Sequence, residues 1–378
     1  MPQNTNVRPT FMIRRLIEYV GCTGGNALTY WPSKTCQEII LKNQRIVFAK
    51  RPIGEPDDEC FSMEEIDIPE LTENQLLIKV AWLSLDPYMR GRMNDIKSYA
   101  DPMQIGDVMT GESVGIVIKS SSRHFTPGDY VAVHKGWQSY IVCDDKDPRL
   151  MKIDLSNGTL SAHLGVVGMP GRTAYFGLKE VGKPQKGETL VVAAASGAVG
   201  SAVGQIAKIN GLRAVGIAGG DQKCAYVRDE LGFDDCIDYK ATGFAERLKD
   251  SCPSGIDIYF ENVGGAVTKA VAPLLNAGAR VPICGYISNY NDEDITKAET
   301  PFHILKSLDN VPEHRFFVVY EWQDKYEEAT KQLGEWVKQG VLKYKECVGE
   351  CISQAPTLFR GMLKGKNFGK QLVKIAEL

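Results

Sequence analysis

No two cysteines in this 378-residue chain form a C-x-x-C pair; the ten are scattered, Cys347 and Cys351 being the nearest neighbours, and the five histidines are equally dispersed. That scatter argues against a structural zinc site and makes reduced thiols in a cytosolic protein the default. No secretory signal and no convincing membrane span are read, and Ala376-Glu377-Leu378 is no peroxisomal address. Neither sign of charge dominates: 44 Lys and Arg against 47 Asp and Glu leave a formal net charge of -3, which gives no electrostatic reason to expect nucleic acid or an acidic membrane surface. Neither an internal repeat nor a low-complexity tract is visible. What remains is ordinary soluble globular composition, 43% hydrophobic and 24% charged, with length enough for two cored domains.

The most informative stretch runs from Thr189 to Gly211. Thr189 to Ala193 is uncharged and mostly apolar, as a strand buried on both faces should be. Ala194, Gly197 and Gly200 then form an A-x-x-G-x-x-G array, a variant of the dinucleotide fingerprint. Val199, Ala202, Val203, Ile206 and Ala207 recur on one helical face, and Asn210-Gly211 ends it. In this reading Gly197 lets backbone approach a pyrophosphate, Gly200 lets helix pack on strand, and the helix N-terminus faces the phosphates. Two plainer readings compete. A glycine-rich strand-to-helix turn needs no nucleotide, and Gly200-x-x-x-Gly204 is a membrane helix-pairing pattern. Small residues dominate the stretch, which argues against the membrane.

Around it the texture changes twice. Residues 1–43 are basic and poor in acid, which allows an organellar transit segment but is read as a poorly ordered extension. From Gln44 the chain reads as strands: Arg45–Ala49, Gln75–Leu83, Val108–Lys119, Tyr130–Val133 and Trp137–Cys143, with turns such as Thr126-Pro127-Gly128-Asp129. After Met169-Pro170-Gly171 strand and helix alternate. Strands are expected at Thr189–Ala193, Arg213–Ala218, Cys236–Ile237, Ile256–Phe260, Arg280–Cys284 and Phe316–Tyr320; helices are expected at Asp221–Leu231 and Ala266–Asn276. That alternation makes a doubly wound parallel sheet. A helix over Lys325–Gln339 stops at Gly340, and a strand at Lys370–Ile375 returns to the β-rich domain.

At the end of the second strand an NAD site usually carries an acid for the ribose 2′-hydroxyl. Here the sequence reads Ala218-Gly219-Gly220; Asp221 suits a helix cap, and Lys223 suits a 2′-phosphate. NADP(H) is therefore the expected cofactor.

Several stretches together resemble one family: Leu83-Ser-Leu-Asp-Pro-Tyr-Met-Arg-Gly-Arg-Met93, Gly168-Met-Pro-Gly-Arg-Thr-Ala-Tyr175, Ala193-Ala-Ala-Ser-Gly-Ala-Val-Gly-Ser201, Glu261-Asn-Val-Gly-Gly265, Ile283-Cys-Gly-Tyr-Ile-Ser-Asn-Tyr-Asn291 and Gly365-Lys-Asn-Phe-Gly-Lys370. In that order over residues 44–378 they resemble the zinc-independent medium-chain dehydrogenase/reductases, the group of prostaglandin, alkenal and curcumin reductases. The resemblance implies a GroES-like β-barrel catalytic domain from both chain ends (44–166 and 322–378) around a Rossmann NADP-binding domain (167–321). It implies NADPH-dependent reduction of the activated C=C bond of α,β-unsaturated ketones and aldehydes, in a cytoplasmic homodimer. Where zinc-dependent relatives carry Gly-His-Glu, this chain reads Gly111-Glu112-Ser113, so no metal is expected. A quinone reductase, or an idle NADPH-binding protein, are the alternatives.

An enolate needs a hydrogen-bond donor where its charge develops, and a tyrosine hydroxyl can serve. The resemblance points to Tyr88, on a barrel loop facing the cleft, and to Tyr290, beyond a Rossmann strand end; which of them donates stays open. For the cofactor it implies Lys223 and Tyr239 at the 2′-phosphate end and the turn Ser196, Gly197, Ala198 and Val199 at the pyrophosphate, with Gly200 and Gly219 also among the cofactor-binding positions. Toward the nicotinamide it implies Asn262, the loop Cys284, Gly285, Tyr286, Ile287, Ser288 to Tyr290, and Met169, Pro170 and Thr173. Asn367 lies across the cleft. Arg90 and Arg92 are read either as carboxylate clamps or as surface or interdomain ties. Two features depart from the family: Arg172 stands where an apolar residue is expected, and Leu308–Arg315 is long and polar ahead of a strand that carries dimer contacts in relatives.

Overall fold

A computed structural model describes residues Leu41–Leu378; the readings made for residues 1–40 lie outside it. The organising strand is Thr189–Ala193, every residue of which is buried. It lies inside a six-stranded sheet in the order Asp235–Asp238, Arg213–Ala218, Thr189–Ala193, Ile256–Phe260, Leu275–Ile283, Glu313–Phe316. Every neighbouring pair in it is parallel. The chain steps outward on one side of Thr189–Ala193, then crosses to the other. That reversal opens a crevice at the carboxyl ends of the central strands, where ligands of such sheets bind.

The turn after the first strand explains its residues. Ala194 takes a left-handed φ of +54°, and Gly197 leads into the helix Ala198–Ile209. A Cβ on Gly200 would stand 2.3 Å from the Ala194 carbonyl oxygen, so only glycine lets the helix sit this close. Gly204 faces the Phe233 ring at a distance no Cβ could share. The Gly200/Gly204 spacing thus serves helix packing inside this domain.

The second sheet has seven strands. Its path runs Glu346–Glu350, Lys370–Lys374, Gln75–Ser84, Ser113–Ser120, Tyr130–Val133, Met151–Lys152, with Tyr140–Asp144 also paired to Gln75–Ser84. The late strand Lys370–Lys374 is antiparallel to Gln75–Ser84, so both ends of the described chain build one sheet. A hairpin-like pair, Lys42–Phe48 with Phe61–Asp67, forms a separate two-stranded sheet, bridged from Arg45 to Gln138 and from Val47 to Val108, residues in the connections between the seven strands. Phe48, Met89, Trp137 and Phe359 fill the core beneath.

Some boundaries differ from the sequence reading. The helix expected over Ala266–Asn276 ends as α-helix at Val271, because Pro273 cannot continue it; a short 3-10 turn follows and a strand begins at Leu275. The last sheet strand is Glu313–Phe316, and Val319–Lys325 is a 3-10 segment whose start Glu321 caps from its side chain. The helix Tyr326–Lys338 ends near Gly340, which has a φ of +71°. The strands Phe61–Asp67 and Glu346–Glu350 were not anticipated.

Candidate active site

One half of the site is built on the glycine turn. Gly197 forms an isolated bridge to Gly369, so the C-terminal return lies directly over the turn. Asn367 donates to the Gly369 carbonyl at 2.8 Å, shaping that return, and Lys223 Nζ reaches the Gly365 carbonyl at 2.7 Å. Burial, with Lys240 close by, lowers the Lys223 pKa. Neither lysine forms an ion pair with an acid among the described residues. Tyr239 stands beside them, and a Cβ on Gly219 would fall 2.9 Å from its ring, so the strand end passes flat under the tyrosine. The Asp238 carboxylate close by is held by the amides of Gly220 and Lys240, and two lysines outside any ion pair, a glycine turn and a helix N-terminus fit a phosphorylated dinucleotide. Lys240 was missed because nothing in its neighbourhood marks it until Lys223 is brought alongside.

Asn262 donates to the Ala193 carbonyl at 2.8 Å and ties the fourth strand end to the first. Buried Glu261 accepts from the amides of Val263 and Gly264 and from the Thr268 hydroxyl. Burial raises its pKa while those donors oppose the rise. The amides of Ile287 and Ser288 then bond the Asn262 and Val263 carbonyls, so the Cys284–Tyr290 loop is pinned to the Glu261–Gly265 turn. Ser196 is buried beside the glycine turn. Met169, Pro170 and Thr173 open the helix Met169–Phe176, where the Thr173 hydroxyl bonds the Met169 carbonyl.

The other half is barrel. Tyr88 begins the short helix Tyr88–Arg92, and its hydroxyl lies 2.8 Å from His134 Nε2, the two rings stacked. Burial, with the Asp86 charge near, holds its pKa well above the usual phenol range. Tyr290 behaves differently. Its hydroxyl sits 2.7 Å from where a Gly285 Cβ would stand, and its ring meets Tyr286 edge-on. Arg90 spends its guanidinium on Asn291, Asn94 and the Gly54 carbonyl, and Arg92 reaches the Asp101 carbonyl. Arg90 therefore straps the Tyr88 helix to the segment that follows Tyr290, in keeping with the second of its two readings, a tie within the fold.

Arg172 is buried and stacks its guanidinium on the Tyr326 ring at 4.3 Å, with one bond to Thr330. It lines a small cleft with Glu112, His134, Arg149, Met169 and Tyr320. Burial lifts the Glu112 pKa to about 7, Arg172 opposing and Asp86 adding to the rise. The folded protein thus holds this proton where an unfolded glutamate has released it, so stability falls as pH climbs from the ordinary glutamate range through about 7. Glu112→Gln should remove that slope. The urea-derived stabilities of variant and parent should separate by roughly 2–3 kcal/mol more at pH 8 than at pH 5; parallel pH curves would refute the assignment.

Comparison with known proteins agrees with this geometry. Residues 44–153 match a family described as the N-terminal domain of oxidoreductase, and residues 198–332 one described as zinc-binding dehydrogenase. Among the described residues, no group of three or more His, Cys, Asp or Glu could hold a metal. The NADPH-dependent curcumin reductase of Escherichia coli (strain K12) is 44% identical over 89% of this chain and 97% of that protein. Prostaglandin reductase 1 of Bos taurus is 37% identical over 86% of this chain and 97% of that protein. The solved structure of CurA in complex with NADPH from Vibrio vulnificus superposes with a TM-score of 0.83 at 45% identity, covering 89% of this chain and all of that one. An Escherichia coli quinone oxidoreductase, at 18% identity and a TM-score of 0.72, shares the fold. With identities of this size over nearly the full length of those relatives, the chain belongs to the zinc-independent medium-chain dehydrogenase/reductase family.

Proposed function

We propose that this protein uses NADPH to reduce the activated C=C bond of α,β-unsaturated ketones and aldehydes, with Tyr88 as the donor to the substrate carbonyl oxygen. The observation that carries the choice is the contrast between the phenols: Tyr88 is paired with His134, which lines the cleft, whereas the Tyr290 hydroxyl turns onto its own loop. NADPH, when bound, supplies the hydride for the β-carbon. The glycine turn and the Ala198–Ile209 helix hold its pyrophosphate, and Lys223 with Lys240 hold the 2′-phosphate. Tyr88 keeps its proton and stabilises the developing enolate, whose α-carbon then takes a proton from a solvent water, while Met169 and the Cys284–Tyr290 loop line the nicotinamide end of the site. Curcumin reductase and prostaglandin reductase relatives support this acceptor class.

The test is NADPH oxidation with a panel of enones, enals and quinones. Turnover of enones and enals is expected; turnover of quinones alone would move the protein to the quinone reductases, and binding without turnover would make it an idle nucleotide binder. Lys223→Ala is expected to raise the KM for NADPH by ~10–100-fold while leaving that for NADH within about twofold, with a smaller effect from Lys240→Ala. Equal losses for both nucleotides would remove the lysines from the 2′-phosphate.

A homodimer is part of the proposal, since Glu313–Phe316 is the edge strand of the six-stranded sheet and pairs on one side alone among the described residues. Light scattering decides it. Residues 44–166 with 322–378 are proposed as the catalytic domain and 167–321 as the NADP-binding domain, a division that the separate membership of the two sheets supports. No described helix is long and apolar enough to cross a membrane; a cytoplasmic setting is the matching proposal.

A further inference from the structure

Near the Tyr88 hydroxyl the hydrogen-bond roles are fixed by chemistry. Arg149 Nη1 lies 3.2 Å from His134 Nδ1, and a guanidinium can only donate. Nδ1 must therefore be the accepting nitrogen. Burial first, and the Arg149 charge second, lower the His134 pKa to about 4, so the ring is neutral and carries one N–H. That N–H is on Nε2, the atom 2.8 Å from Tyr88 Oη. A neutral imidazole with Nε2–H donates to the phenol; the phenol cannot donate back along the same line.

We propose that His134 and Arg149 are positioning residues that set the direction of the Tyr88 proton: Arg149 selects the Nε2–H form of His134, His134 donates to Tyr88, and the Tyr88 hydrogen is left to point into the cleft. This rests on the reading of Tyr88 as the donor to substrate. In that role the relay does two things. It keeps the phenol from spending its hydrogen on a protein acceptor before substrate arrives. It also supplies a donor to the phenol oxygen as charge shifts onto it, which strengthens the bond the phenol makes to the enolate oxygen. The Tyr88 helix and the barrel segment that carries His134 are far apart in sequence, so the contact is made by the fold rather than by a local motif.

The experiment uses the full chain with histidines labelled with 15N, and reads the tautomer of His134 by long-range NMR correlations at neutral pH. Five histidines make the assignment tractable. The expected result is a protonated Nε2 and a bare Nδ1, with the other tautomer gaining population in Arg149→Met. A wild-type ring protonated on Nδ1 would overturn the proposal, whatever the enzyme turns over. A near-isosteric pair supplies the kinetic readout. In His134→Gln the amide can still accept from Arg149 and donate to Tyr88, so kcat with an enone should stay within about threefold of the parent. In His134→Glu the carboxylate can only accept, pulling the Tyr88 hydrogen away from the cleft, and kcat should fall by about 100-fold with KM for NADPH unchanged. Equal kcat values for the Gln and Glu variants would overturn the relay. The tautomer is measured without substrate, so a protein that shows Nε2–H yet reduces no enone would keep the hydrogen-bond direction and discard the activity.

Discussion

Tyr88→Phe should lower kcat for enone reduction by ~10²–10³-fold, the range lost when one donor to a developing oxyanion is removed, with NADPH affinity nearly unchanged. The substitution deletes one oxygen from a ring already stacked on His134, and the helix Tyr88–Arg92 keeps its other anchors: Met89 in the barrel core and Arg90 on Asn291. Its effect should therefore sit in kcat. Burial beside Asp86 keeps the phenol protonated at all working pH values, so the parent should show no alkaline limb from Tyr88 below pH 10. Tyr290→Phe is the control, with an expected change of less than about threefold, because that hydroxyl faces Gly285 of its own loop. Steady-state kinetics on both variants, with NADPH binding followed by fluorescence, decide the matter. Parent-like rates in Tyr88→Phe would end the donor assignment, and a large loss in Tyr290→Phe alone would transfer it.

What could be read along the chain, and what could not, divides by the range of the interaction. The strand Thr189–Ala193 is legible because burial on both faces demands an uncharged run, and the turn after it because Gly200 has backbone where a Cβ would go. The crossing strands of the parallel sheet announce themselves in the same way. Phe61–Asp67 and Glu346–Glu350 do not: they are half-exposed, carry charges, and are held as strands only by partners brought from elsewhere in the chain. The helix that ends before Leu275 is shorter than its apolar periodicity suggests, because Pro273 breaks a pattern that periodicity alone carries on to Asn276. In the site, Lys223 and the glycine turn are visible as local pattern. His134 is not. A lone histidine after Tyr130–Val133 carries no signal by itself; its meaning comes from Tyr88 on one side and Arg149 on the other. The motif containing Tyr290 was visible too, yet the direction of its hydroxyl depends on a loop folded back at Gly285, and no spacing rule encodes that.

The second large effect concerns the joint between the two chain ends. Lys370 Nζ donates to Asp86 at 2.7 Å and to the Leu85 carbonyl at 2.9 Å, while the Ser84 hydroxyl serves the other Asp86 oxygen. Both side chains are under a tenth exposed. Water is thus nearly absent from the pair, and each charge is tolerable only because the other is there. Lys370→Met leaves the Asp86 carboxylate buried with one hydroxyl donor, and should cost ~3–5 kcal/mol of unfolding free energy. Adding Asp86→Asn removes the stranded charge, so the double variant should recover part of that loss; strictly additive losses in urea titrations would show that the two do not act as a pair. Activity should fall as well, for a reason separate from stability. Asp86 sits two residues before Tyr88, and Lys370 directly follows Gly369, which bridges to Gly197 of the glycine turn. One ion pair therefore fixes the phenol and the strand over the glycine turn in a common frame. At a temperature where Lys370→Met remains folded, both KM for NADPH and kcat should worsen together, whereas a purely structural brace would leave the folded fraction with parent kinetics.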